Sequence, residues 1–404
     1  MTATRIVRPA TLAVVAAAVW ILAASLLWRT KVPADLHLPS LEARRLFGAH
    51  VVDAGTRFDR FFELEWLIAT LAKLTALVVM TRRGPRFVRS LGLGPVNAGI
   101  VTGVLVATVV WAVNVPFGIA ASWWSRRHGI LQESWGSIVF SPWGSLLRTT
   151  FMTAIVLAVV LMLAQRFAQR WWIPAAALVF GLAVLLQLLI PYAQGLGTHG
   201  VRSPAFAAQI RRLEDREQVG RPSVRIVPMR HQTTAANAFA IGIGPSRGIF
   251  IWDTMLDGRF TPREVRFVVA HELGHLARRH IWKGIAWGAL IGIPILILVA
   301  FVTGRRDGLR NPAAVPLAFL TITAAGVATA PLVNAVSRRY EAEADWMALN
   351  ATGDPSAGRG LFQRFVTTDL QDPDPPGWVH VFLEDHPNAL VRVEQAEAWR
   401  RLNR

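Results

Sequence analysis

The chain has 404 residues, 53% of them hydrophobic, with a mean hydropathy of +0.37, which excludes an ordinary soluble domain and implies several membrane spans. Cysteine is absent, which excludes disulfides and thiolate metal sites and leaves any metal to histidine and carboxylate. The net charge of +17 is nearly all arginine, because Lys31, Lys73 and Lys283 are the only lysines. The arginines are scattered and not gathered on one face. They suit loops that meet anionic headgroups, and no nucleic-acid partner is expected.

Seven apolar stretches approach the roughly 20 residues that cross a bilayer. They are Thr11–Trp28, Glu65–Met80, Val96–Phe117, Thr149–Ala164, Trp172–Tyr192, Gly284–Val302 and Val315–Val333. Arg5 and Arg8 precede the first, as in a signal peptide, but six more spans follow and it reads as a retained anchor. Trp28, Trp123, Trp124, Trp171, Trp172, Tyr192 and Trp282 at the ends suit an interfacial belt.

Two long polar segments, 194–280 and 334–404, flank the last two spans. Two crossings return the chain to the side it left, so both segments face one compartment and the N-terminus faces the other. Within the first segment, Val224–Val227, Ala236–Ile241 and Gly248–Trp252 read as short strands, with Gly244-Pro245-Ser246 as a turn.

Thr261-Pro262-Arg263-Glu264 then announces a helix, because a capping threonine, a proline at the first position and a glutamate at the third form a capping box. Val265, Val268 and Val269 give it an apolar stripe, and His271-Glu-Leu-Gly-His275 follows in register. The two histidines, four apart, project from one face and can bind one metal ion. Glu272 sits beside that face, where a carboxylate can take a proton from metal-bound water. His280, five residues after His275, is off the ligand face and reads as an interfacial histidine.

A catalytic zinc site needs a third protein ligand and an open position. A histidine ten residues after the first is excluded, since that position is Ile281. The alternative is a glutamate on a later helix, and Ser337-Arg-Arg-Tyr-Glu341-Ala-Glu-Ala-Asp345 offers one. Glu341 and Asp345 share a helical face and Glu343 points elsewhere. Glu341 is assigned as third ligand, and Asp345 as the acceptor that orients a ligand histidine through its other ring nitrogen, while the segment alone suits a solvated charged helix equally well.

These segments, in this order, resemble the type I CAAX prenyl endopeptidases, membrane-embedded zinc proteases of the gluzincin class. The resemblance rests on Asn237-Ala-Phe239, Ile249–Leu256, the His271–His275 motif, Ser337–Asp345, and His386-Pro387 with Arg392 six residues after the histidine. It covers residues 225–404 well and the five N-terminal spans only in number and hydropathy. It implies a mainly α polytopic protein of about seven transmembrane helices with a gluzincin-type zinc domain and a small β-sheet. The implied divisions are 1–193 (five spans and their loops), 194–283 (first half of the protease domain), 284–333 (a transmembrane hairpin) and 334–404 (second half, with the third ligand).

The resemblance further implies one zinc ion per chain held by His271, His275 and Glu341, with Glu272 as general base. His386 and Arg392 become candidates for stabilising the oxyanion or gripping substrate, although on the residues alone a histidine before proline reads as a helix start. Asn237 resembles the asparagine that anchors substrate, and equally suits a turn or bulge. The expected partners are a peptide or protein substrate and the lipid bilayer. The arginine bias suggests a bacterial cytoplasmic membrane, and the resemblance implies a site on the cytoplasmic side. The competing expectations are a ligand-sensing regulatory protease and a catalytically silent scaffold that retains the zinc fold.

Overall fold

A computed structural model describes residues 9–403. Helix α1 (Pro9–Leu27) leads to a short α2 (Ala43–Phe47) and the long α3 (Ala49–Leu91). Then come α4 (Pro95–Arg127), α5 (Trp135–Phe167) and α6 (Trp172–Gln194). Among the described residues, six helices are long and apolar enough to cross a membrane, including α3 to α6. The expected first span falls on α1, whose apolar stretch Val14–Leu27 is shorter.

The helices outrun the apolar stretches that announce them. Helix α3 has 43 residues, about 65 Å, against a hydrocarbon core of roughly 30 Å. Hydropathy sees only the portion in lipid. Charged residues at both ends, from Arg57 to Glu65 and from Arg82 to Arg89, continue the same helix into the aqueous layers.

The first polar segment contributes β1 (His199–Gly200), α7 (Pro204–Glu217), β2 (Ser223–Val227), β3 (Ala238–Ile241) and β4 (Gly248–Trp252). The three expected strands form, and a two-residue β1 joins them. The sheet order is β1-β2-β4-β3, with β2 and β4 parallel and both outer pairs antiparallel. Strand β3 is therefore an edge. Ile249 and Ile251 of β4 are buried against the next helix, α8 (Pro262–Ala277).

Helix α8 starts as its sequence announces. Thr261 Oγ1 accepts from Glu264 N at 3.3 Å, and Glu264 Oε2 accepts from Thr261 N at 2.8 Å. Arg364 holds the same glutamate at 3.0 Å. Val265, Phe267, Val269 and Leu273 are buried in the largest core cluster. A helix enclosed over most of its length fixes its side chains far better than a surface one.

Helices α9 (His280–Gly304) and α10 (Val315–Thr352) form the membrane hairpin, and both run past the apolar limits. The expected division at 333/334 falls inside α10, which carries the chain from the membrane into the polar domain without a break. Helices α11 (Pro355–Thr368), α12 (Gly377–Phe382) and α13 (Ala389–Leu402) complete the domain.

Helix α8 packs on the C-terminal part of α10 at Gly274. A Cβ there would meet Met347 Cβ at 3.0 Å and Ala344 O at 3.4 Å. The glycine within the His271–His275 motif thus lets α10 approach closely enough for its carboxylates to reach the histidines.

Candidate metal centre

The ligand atoms of His271, His275 and Glu341 all lie within 4.8 Å of one another. The two Nε2 atoms face each other at 3.0 Å. Glu341 Oε2 is 3.2 Å from His271 Nε2, and Oε1 is 3.4 Å from His275 Nε2. Yet Glu341 Oε2 is buried with no hydrogen-bond partner. Two imidazole nitrogens and an unsatisfied carboxylate oxygen converging on one point form a donor set that fits a divalent cation.

The outward nitrogen of each histidine is also engaged. Asp345, one turn beyond Glu341 on α10, accepts from His271 Nδ1 at 2.8 Å. Arg392 in the first turn of α13 holds Asp345 with Nε and Nη2, both at 2.7 Å, and lies over the Phe362 ring. Burial opposes a charge on His271, but its hydrogen bond to Asp345 and the nearby carboxylate of Glu341 outweigh that and push its pKa up to about 10. The site concentrates negative charge and calls for a cation.

Glu272 is buried beside the ligands, and burial pushes its carboxyl above the usual range, against the pull of His271 and His275. The backbone of Ala240 on β3 hydrogen-bonds to it. The register accounts for that contact. Trp252 N donates to Asn237 O at 2.9 Å, so odd-numbered residues of β3 pair with β4 and the amides of Ala238 and Ala240 face outward.

Asn237 is exposed at the head of this edge. His386 lies on the open side, with Nε2 3.3 Å from Glu341 Oε2 and Nδ1 2.7 Å from Asp385. It is not the helix-starting residue: Asn388 caps α13 by accepting from Val391 N at 2.9 Å. Seven of the eight expected site residues thus gather around one centre, and Asn237 stands apart at the head of β3, the strand whose Ala240 backbone reaches Glu272. Arg392 differs in its manner, since its guanidinium grips Asp345 and not the open side.

His280 corrects the sequence reading. It is buried, not interfacial, with Nδ1 2.9 Å from His275 Nδ1 and Nε2 2.9 Å from Glu343 Oε2. Glu343, expected to point away from the metal face, does so, but into a buried cluster with Arg278 and Lys283.

A cavity of about 500 Å³ opens between α9 and α10, walled by His275, Glu341, Gly284, Trp287, Ile291 and Val336. It joins the centre to the membrane-side hairpin.

The model of peptidase family M48 matches residues 202–400, the stretch that holds every residue above. Residues 202–400 thus resemble an M48 peptidase domain. The chain is 28% identical over 248 residues to a Bacillus subtilis protein named Uncharacterized metalloprotease YhfN, and the match covers 58% of each chain. It is similar to two proteins named Protease HtpX homolog. One, from Methylibium petroleiphilum, is 29% identical over 163 residues, covering 40% of this chain and 56% of that one. The other, from Kineococcus radiotolerans, is 27% identical over 248 residues, covering 57% and 82%. The chain thus spans little more than half the length of the first two relatives.

The fold likeness reaches further than the M48 domain. The crystal structure of S. mikatae Ste24p superposes with a TM-score of 0.72 at 17% identity, covering 94% of this chain and 97% of that one. The resemblance drawn from the motifs is borne out, and the five N-terminal spans, alike at first only in number and hydropathy, share the fold. The protein is a mainly α, multipass membrane protein with a small mixed sheet, and its residues 202–400 match the M48 family.

Proposed function

We propose that this chain is a zinc endopeptidase that cuts peptide or protein substrates at the membrane. The observation that carries the proposal is the convergence of His271, His275 and Glu341, with Glu272 beside them and the free edge of β3 alongside. A zinc ion held by those three residues, one per chain, would polarise the scissile carbonyl and acidify an attacking water.

The chain's own residues account for the rest. The outward backbone groups of Ala238 and the outward carbonyl of Ala240, whose N–H is held by Glu272, pair with an extended substrate as an added strand, and Asn237 anchors it at the strand's head. Glu272 takes the proton of the attacking water and returns it to the leaving amine. His386, whose Nδ1 faces Asp385, is favoured in its doubly protonated form and presents Nε2–H to the charge that develops on the carbonyl oxygen. Arg392 acts through Asp345, holding the carboxylate that orients His271.

The cavity against His275 and Glu341 is mostly apolar and supports substrates that present apolar groups from the membrane side. The relatives named above are bacterial, which supports a bacterial cytoplasmic membrane, and the motif resemblance supports a cytoplasmic-facing site and division of the domain at 194–283 and 334–404 around the hairpin. A scaffold without turnover would be free to lose its base. Glu272 is retained and buried beside the ligands, which favours catalysis over that alternative.

The test is cleavage of a peptide library by the detergent-solubilised protein and its Glu272→Gln variant, with bound metal quantified in both. Cleavage by the wild type alone, with about one zinc per chain in each, is expected. Folded wild-type protein that takes no zinc would sink the proposal.

A further inference from the structure

Helix α8 ends at Ala277, and Arg279 turns the chain in the left-handed region, with φ +55°. That turn resets the helical register. His280 opens α9 with its ring folded back to a ring distance of 4.9 Å from His275. The proton positions follow from the partners. With its Nε2 directed at the ligand cluster, His275 carries its proton on Nδ1 and donates to Nδ1 of His280 across 2.9 Å. His280 then carries its proton on Nε2 and donates to Glu343 Oε2, also at 2.9 Å.

Glu343 is fully enclosed and anchored by three further donors: Arg278 Nε at 2.6 Å, the backbone N of Lys31 at 2.7 Å and Lys283 Nζ at 3.2 Å. Donors from α1's exit loop, the α8–α9 turn and α9 therefore fix the far end of the chain of hydrogen bonds.

We infer that His280 is a positioning residue for His275, relaying the negative charge of Glu343 to a metal ligand without touching the metal. The inference rests on reading His271, His275 and Glu341 as the zinc ligands. An acceptor on the outer nitrogen of a ligand histidine fixes its tautomer and ring plane and makes the inner nitrogen a better donor, and losing such a partner typically weakens metal binding roughly 10–100-fold. The rival role is packing, since His280 also stacks on Tyr340 at 4.6 Å with 10° between planes.

Three substitutions separate the two roles. His280→Phe keeps a ring to stack on Tyr340 and removes the acceptor. His280→Asn places an amide oxygen near the former Nδ1 and loses the stack. His280→Gln extends towards Glu343 and leaves His275 without an acceptor. Zinc affinity of the full-length protein is measured by competition with a chelator at fixed pH, beside the thermal midpoint of the metal-free form. The expected result is a roughly 10–100-fold weaker affinity for His280→Phe at an unchanged midpoint, with His280→Asn within a few-fold of wild type.

An affinity for His280→Phe within twofold of wild type would overturn the inference. Should His280→Phe not fold, the amide pair decides: tighter zinc in Asn than in Gln upholds the relay, and equal affinities overturn it. A wild type that binds no zinc is a different result, which removes the metal site itself and the relay with it.

Discussion

His271 and His275 stand four residues apart on one helix, and the protein steadies them by different routes. His271 meets a carboxylate directly, because Asp345 lies on the face of α10 that packs against α8. His275 meets its carboxylate through a second histidine, because Glu343 leaves α10 from another face, towards α9. One helix therefore supplies both charges, and the side of the helix decides whether an intermediary is needed. The far ends differ too. Asp345 is held by the single fork of Arg392, whereas Glu343 gathers donors from three segments.

That difference predicts an order of consequences. Glu343→Ala should be the most damaging change, because it strands Arg278 and Lys283 without their counter-charge beside the membrane. Removing one partner of a buried ion pair costs about 3–5 kcal/mol, so the thermal midpoint should fall by roughly 10 °C. A midpoint within two degrees of wild type would mean that water already solvates the cluster. Asp345→Asn keeps the shape and removes the charge behind His271, and should weaken zinc binding roughly 10–100-fold by chelator competition. Unaltered affinity would break the parallel between the two histidines. Arg392→Lys keeps a charge but loses the two-pronged grip, and a loss of only a few-fold in affinity is expected.

Glu217 sharpens the comparison from the opposite side. It is buried at the end of α7, its Oε2 has no hydrogen-bond partner, and burial pushes its pKa up to about 7. A carboxyl raised from its unfolded value of 4.5 favours the fold below that pH, and the benefit is lost as pH rises through 7. Glu217→Gln should therefore leave the midpoint unchanged near pH 4.5 and raise it at pH 8, by the equivalent of about 1–3 kcal/mol. An equal shift at both pH values would show that charge is not the cause.

Much of this site was legible in the sequence, and the reasons are local. The start of α8 is written in Thr261 and Glu264, and a four-residue spacing is enough to place His271 with His275 and Glu341 with Asp345. His280 could not be found that way. Counted along an unbroken helix, a residue five after His275 points about 140° away from it. The left-handed residue at Arg279 cancels that count, and arginine gives no sign of such a conformation. Its partner Glu343 lies 63 residues further on, beyond the hairpin. Arg392 was legible as a site residue only by resemblance, since nothing near it in sequence names Asp345 as its target. The spans were found by hydropathy but cut short, because charged residues extend a helix as readily as apolar ones.

Helix α10 makes the centre a lever problem. It is a rod of 38 residues, about 57 Å, rooted in lipid and carrying Glu341 about two-thirds of the way along. Pro331, within the helix, removes one rung of its hydrogen-bond ladder and is the natural place for it to flex. Glu341 lies ten residues beyond, an arm of about 15 Å, over which one degree of bending displaces the carboxylate by roughly 0.3 Å. Metal–ligand distances tolerate about 0.2 Å. The rod alone cannot hold such a tolerance against the undulation of a bilayer, so the contact of Gly274 with Met347 and Ala344 serves as the fulcrum that keeps membrane motion out of the ligand geometry.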